Sequence, residues 1–100
     1  MRSWIRRISD GVISLPKDSC IRQLRPPFIR WRVDGDSIVG CPSQENRGIF
    51  SILFSDGVRV RIPSSILRES GLPEDGWIIV EEDEGCCLRI RPLRIEKVIL

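Results

Sequence analysis

One hundred residues, 41% of them hydrophobic, suffice for one domain with a modest core and exclude a disordered chain. No apolar run approaches the roughly 20 residues of a membrane span, and Arg6 and Arg7 interrupt the apolar N-terminus, so neither a membrane helix nor a signal peptide is expected and the default compartment is cytoplasmic. The net charge is only +2, but Lys17 and Lys97 are the only lysines among 16 basic residues, and arginine is the side chain that grips phosphate as a planar fork.

Along the chain, residues 3–9 read as a strand carrying Trp4, and Asp10-Gly11 is a strong hairpin signal. Residues 12–15 are the next strand, which Pro16 ends. A short helix is expected over 17–24, with Asp18 or Ser19 near its start, and Arg25-Pro26-Pro27 breaks it. In the strand at 28–33, Phe28, Arg30 and Arg32 oppose Ile29, Trp31 and Val33. Asp34-Gly35-Asp36 turns it back into a strand at 37–41. The polar, turn-rich stretch 42–47 reads as a linker.

The second half is more sharply patterned. Val58, Val60 and Ile62 alternate with Arg59 and Arg61, which gives a strand one oily and one basic face. Pro63 ends it. Ser64 or Ser65 is expected to cap a short helix running to Arg68 or Ser70, and Gly71 stands where a helix needs a left-handed residue to stop. Leu72-Pro73-Glu74-Asp75-Gly76 is a turn, 77–82 a strand, Asp83-Glu84-Gly85 a tight turn and 86–91 a last hairpin strand. Residues 93–100 alternate again and read as a further strand or a tail.

The two halves repeat each other. Ile8-Ser9-Asp10-Gly11-Val12 precedes Leu15-Pro16, and Phe54-Ser55-Asp56-Gly57-Val58 precedes Ile62-Pro63. Pro26 follows Pro16 by the same step as Pro73 follows Pro63, and Trp31 and Trp77 each stand early in a late hairpin. One domain over 1–100 is therefore expected to hold a degraded copy at 3–41, the linker at 42–47 and a second copy at 48–92.

The order strand, short helix, hairpin, together with Arg59-Val60-Arg61-Ile62-Pro63, Gly71-Leu72, Pro73-Glu74-Asp75-Gly76 and Leu88-Arg89-Ile90-Arg91-Pro92, resembles the AbrB/MazE family of swapped-hairpin barrels. Leu67 stands where that family has a helix arginine, with Arg68 after it, and Asp75-Gly76 inverts the family's Gly-Asp. The resemblance implies a mostly β fold with two short helices, closed as a barrel by two tandem pseudo-twofold copies within one chain, as in the related MraZ-type proteins. It also implies a transcriptional regulator that contacts double-stranded DNA near the strand–helix junctions. Arg59 is the clear match there, with Arg61 and Arg68 beside it and Lys17 and Arg22 on similar ground in the first copy.

From the residues alone, Arg30 and Arg32 repeat the basic strand face of Arg59 and Arg61, and duplex DNA rewards such faces by counterion release. No histidine, G-x-S-x-G or P-loop is present, so no enzyme and no cofactor is expected. Glu81-Glu82-Asp83-Glu84 reads as a solvated hairpin tip. Without C-x-x-C or histidine, Cys20, Cys41, Cys86 and Cys87 argue against zinc and for buried thiols. A disulfide through Cys20 or Cys41 stays open for a hyperthermophile, a source at which the single asparagine hints. The second reading, from a different class, is a protein-interaction module without DNA binding: an antitoxin-like partner or a structural subunit. Separately from either reading, a homo-oligomer is expected to form through the C-terminal segment at 93–100.

Overall fold

The structure, a computed structural model, describes residues 2–93; the expected strand or tail at 93–100 lies, beyond Leu93, outside the described residues. The elements are β1 (Arg2–Ile8), β2 (Val12–Ser14), α1 (Cys20–Leu24), β3 (Phe28–Asp34), β4 (Ser37–Ser43), β5 (Phe50–Ser51), β6 (Arg59–Arg61), α2 (Ser64–Ser70), β7 (Gly76–Glu82) and β8 (Leu88–Pro92). The fold is mostly β with two short helices. Among the described residues, no helix is long and apolar enough to cross a membrane.

All strand pairs are antiparallel. A six-stranded sheet runs β1-β7-β8-β4-β3-β5, and a two-stranded ribbon pairs β2 with β6. Exchanging the halves, β1 for β5, β3 for β7 and β4 for β8, leaves this order unchanged when it is read backwards. Each half thus lends its hairpin to the first strand of the other: β1 pairs with β7, and β5 with β3. Among the described residues no ladder joins β1 to β5, so the sheet is open rather than a closed barrel.

Alternation explains which face each strand buries. Ile29 and Trp31 of β3 are buried and Arg30 and Arg32 exposed; Ile78 and Val80 of β7 face the same core. Ile13 and Val60 bring the ribbon onto it from the other side, with Ile66 and Leu67 of α2 and Ile21 of α1. Trp31 sits in this core, whereas Trp77 is 54% exposed, so the two tryptophans are not equivalent as their spacing suggests.

Trp31 also sets a packing limit. It pairs in register with Gly40 of β4, and a Cβ added at Gly40 would lie 2.5 Å from Trp31 Cζ3. The indole N–H donates to Ser51 Oγ at 2.8 Å, which holds the ring, and Ser51 Oγ in turn donates to the Arg61 carbonyl. The ring therefore cannot swing aside without breaking its bond to Ser51, which ties β3 to β5. Gly40→Ala is expected to cost about 1–3 kcal/mol, the usual penalty of overpacking. Urea unfolding with an unchanged midpoint would refute this packing.

The helix ends follow local chemistry. Ser19 caps α1 and accepts from the Arg22 N–H, while Arg25 takes the left-handed C-cap position at φ 48° that Gly71 fills for α2. The expected serine cap of α2 is absent. Pro63 is its N-cap and makes no side-chain bond, and Ser64 already lies inside the helix. The linker region shifts as well, since Pro42 and Ser43 belong to β4.

Two expectations are corrected by tertiary contact. All four cysteines are paired, Cys20 with Cys86 and Cys41 with Cys87, rather than being buried thiols. The strand expected over 86–91 begins only at Leu88; Cys86 lies in the preceding turn with a left-handed backbone, φ 64°, and Cys86 and Cys87 reach different partners. Glu82, expected on a solvated tip, is 5% exposed. It accepts from Ser19 Oγ at 2.8 Å, Cys20 N at 2.7 Å and Ile21 N at 3.4 Å, and so closes the start of α1.

Candidate nucleic-acid interface

The β2–β6 ribbon carries the strongest basic feature. Its register pairs Val12 with Arg61, Ile13 with Val60 and Ser14 with Arg59. Because Ile13 and Val60 are buried, Arg59 and Arg61 must project outward with Val12 and Ser14. Residues two apart on a strand are about 6.6 Å apart, so both side chains leave the same face of β6. They line a shallow surface depression that also takes in Arg7, Ser9 and Phe54.

Each arginine is held by an acid from a neighbouring turn. Arg59 Nε donates to Asp56 Oδ2 at 2.7 Å, and its guanidinium carbon lies 5.0 Å from the centre of the Phe54 ring. Arg61 Nη1 donates to the Asp10 carbonyl at 2.8 Å and lies 3.7 Å from the Asp10 carboxylate. Hydrogen bonds from the Val58 N–H, the Arg59 side chain and the Arg59 N–H hold the Asp56 carboxyl down at about 2. Asp56 therefore stays ionised near neutrality, and its grip on Arg59 does not vary with pH there.

The repeated Ser-Asp-Gly-Val adopts two geometries. Asp10 and Gly11 both have positive φ, 52° and 74°, and the Ser9 and Val12 backbones bond reciprocally, as a two-residue hairpin requires. In the second copy only Gly57 has positive φ. There the Asp56 carboxylate accepts from the Val58 and Arg59 N–H groups, whereas Asp10 N–H donates to Asp75. Val12 and Ser14 occupy, in the first copy, the outward ribbon positions of Arg59 and Arg61, so the basic face belongs to the second copy.

The other predicted arginines are not gathered here. Arg30 and Arg32 lie on the exposed face of β3, opposite to the face that packs toward the ribbon, and Arg30 rests over Gly48. Arg22 reaches back to the Leu15 carbonyl at 3.5 Å. Arg68 is exposed in the last turn of α2, and Lys17 in the turn before α1. Arg89 pairs with Asp34 at 2.8 Å and Arg91 with Glu81, which neutralises much of the outer sheet face. Sequence reasoning missed Arg7 and Phe54. Arg7 shares the alternation of Ser9, but only the fold brings the end of β1 to the ribbon. No protein-family model, curated protein or solved structure matches the chain.

Proposed function

We propose that the chain is a duplex-DNA-binding transcriptional regulator built as two interleaved AbrB-like copies, in which the hairpins exchange although the sheet does not close into a barrel. The observation that carries this reading is the outward pair Arg59 and Arg61 on the ribbon, each pinned by an acid that leaves the other guanidinium N–H groups unused. Such pinning lowers the conformational entropy lost when a phosphate is gripped. The exchange of hairpins between halves supports the AbrB-like kinship. Three arginines against Asp10 and Asp56 leave one net positive charge at the depression, so binding is modest and rests on a few phosphate contacts. The reading places the chain in the cytoplasm, where paired cysteines persist chiefly in hyperthermophiles.

Replacing Arg59 and Arg61 by Ala together is expected to change stability little, since exposed ion pairs contribute about 0–1 kcal/mol each. Duplex affinity should fall, and the slope of log affinity against log salt should flatten by about one per lost phosphate contact. Fluorescence anisotropy at several salt concentrations measures both. An unchanged slope removes the ribbon from the mechanism.

A second reading, a protein-interaction module, is favoured by one observation: Ile5 and Trp77 are exposed close together on the outer sheet face. Failure of the unmodified protein to bind any duplex at low salt would select it.

A further inference from the structure

The six-stranded sheet ends unequally. At one edge β5 has two residues; at the other β1 has seven, and among the described residues its only ladder is with β7. The free rim of such a strand presents unpaired N–H and C=O groups that template another strand. Beside it the outer face carries an apolar patch, bordered by Arg7, which pairs in register with Trp77. Ile5 is 59% exposed and pairs with Ile79, and Trp77, 54% exposed, stands next along β7. On the opposite face Arg6 has a buried Nε with no hydrogen-bond partner among the described residues.

We propose that two copies of the chain join β1 to β1, antiparallel, about a twofold axis that sets Ile5 opposite the partner's Ile5. A twofold axis perpendicular to the sheet keeps outward residues opposite outward residues, so the register can move only in steps that preserve each face. The centred register pairs the whole strand: Arg2 with the partner's Ile8, Ser3 with the partner's Arg7 and Trp4 with the partner's Arg6. The next register in one direction sets Arg2 against the partner's Arg6, and the next in the other sets Arg6 against the partner's Arg6. Like charges directly opposite destabilise a strand pair. The register that pairs every residue is thus also the one that separates the arginines. It brings an indole face to Arg6, a favourable partner for a guanidinium. It also sets the two Ile5 side chains against each other and makes Ile5, Ile79 and Trp77 of both copies one continuous apolar strip. The turn to β2 leaves the edge only at Ser9, beyond the last paired residue. The contact is self-complementary, as a twofold dimer requires, and it does not depend on DNA binding.

Sedimentation equilibrium of the full chain tests this. At high micromolar concentration the mass should be twice the 11.5 kDa of the chain. Ile5→Lys sets lysine against lysine on the axis and should return the monomer with an unchanged circular dichroism spectrum. Ile5→Cys should form an intermolecular disulfide under mild oxidation, whereas Ser3→Cys, which faces Arg7, should not. A monomeric unmodified chain overturns the proposal, and so does an Ile5→Lys protein that stays dimeric. Equal cross-linking by Ser3→Cys and Ile5→Cys also overturns it. A dimer lost on Ile95→Lys but kept on Ile5→Lys would assign the contact to the C-terminal segment instead, against the proposal.

Discussion

Replacing Cys20 and Cys86 with serine is expected to destabilise the domain by about 4 kcal/mol. The bridge joins residues 66 apart in sequence, and in the chain-entropy account a loop of that size strongly restricts the unfolded ensemble. The Cys41–Cys87 bridge spans 46 residues, and its loss should cost nearly as much. The two closed loops overlap along the chain, so removing both should cost less than the sum. Against a total stability of about 5–15 kcal/mol for a domain, either loss is a large fraction. Urea unfolding of each double-serine variant gives the value. Alkylation of the native protein should find no free thiol before reduction and four after it. A loss under about 1 kcal/mol, or ready alkylation before reduction, would show that the cysteines are not paired as described.

Glu82→Ala is expected to cost about 3 kcal/mol. This carboxylate is buried at the junction of β7 with α1, where it accepts from a hydroxyl and two backbone N–H groups. Hydrogen bonds to a charged acceptor contribute about 1.5–3 kcal/mol in net terms, and buried donors left without a partner add to the loss. A negative group at a helix start is also favoured by the unpaired N–H groups there. Glu82→Gln keeps one acceptor oxygen and the shape of the side chain, so it should recover about half of the loss. Amide exchange at Cys20 and Ile21 should quicken in the alanine variant before exchange in β3 does. Equal unfolding midpoints for Glu82→Ala and the unmodified protein would sink the capping role. Because Cys20 adjoins this site, Glu82→Ala and loss of the Cys20–Cys86 bridge should be non-additive.

The cysteine pairing and the Glu82 cap are long-range features, set by tertiary contact. Local signals carried through wherever the physics is local. The alternation of Ile29 and Trp31 with Arg30 and Arg32, and of Val60 with Arg59 and Arg61, sets which side chains are buried, because a strand turns over every second residue. Gly71 stops α2 and Asp10-Gly11 turns a hairpin, because each needs a backbone conformation that few residues adopt. The order of the other elements follows from such signals, whereas β5 (Phe50–Ser51) is not among the expected strands.

What only the tertiary structure decided is which elements meet. Four cysteines allow three pairings, and spacing does not choose among them. In Glu81-Glu82-Asp83-Glu84 the alternation of β7 puts Glu82 on the face of Ile78 and Val80, but its burial depends on α1 arriving from 62 residues away. Likewise Arg7 reaches the Arg59 and Arg61 face, and Arg30 and Arg32 are kept from it, only once the ribbon and the sheet enclose one core. Turns and alternation are set by residues a few places apart. The pairing of β1 with β7 and of β2 with β6 is set by burying Ile8, Ile13, Val60 and Ile78 together, a gain shared by the whole chain and written at no single position.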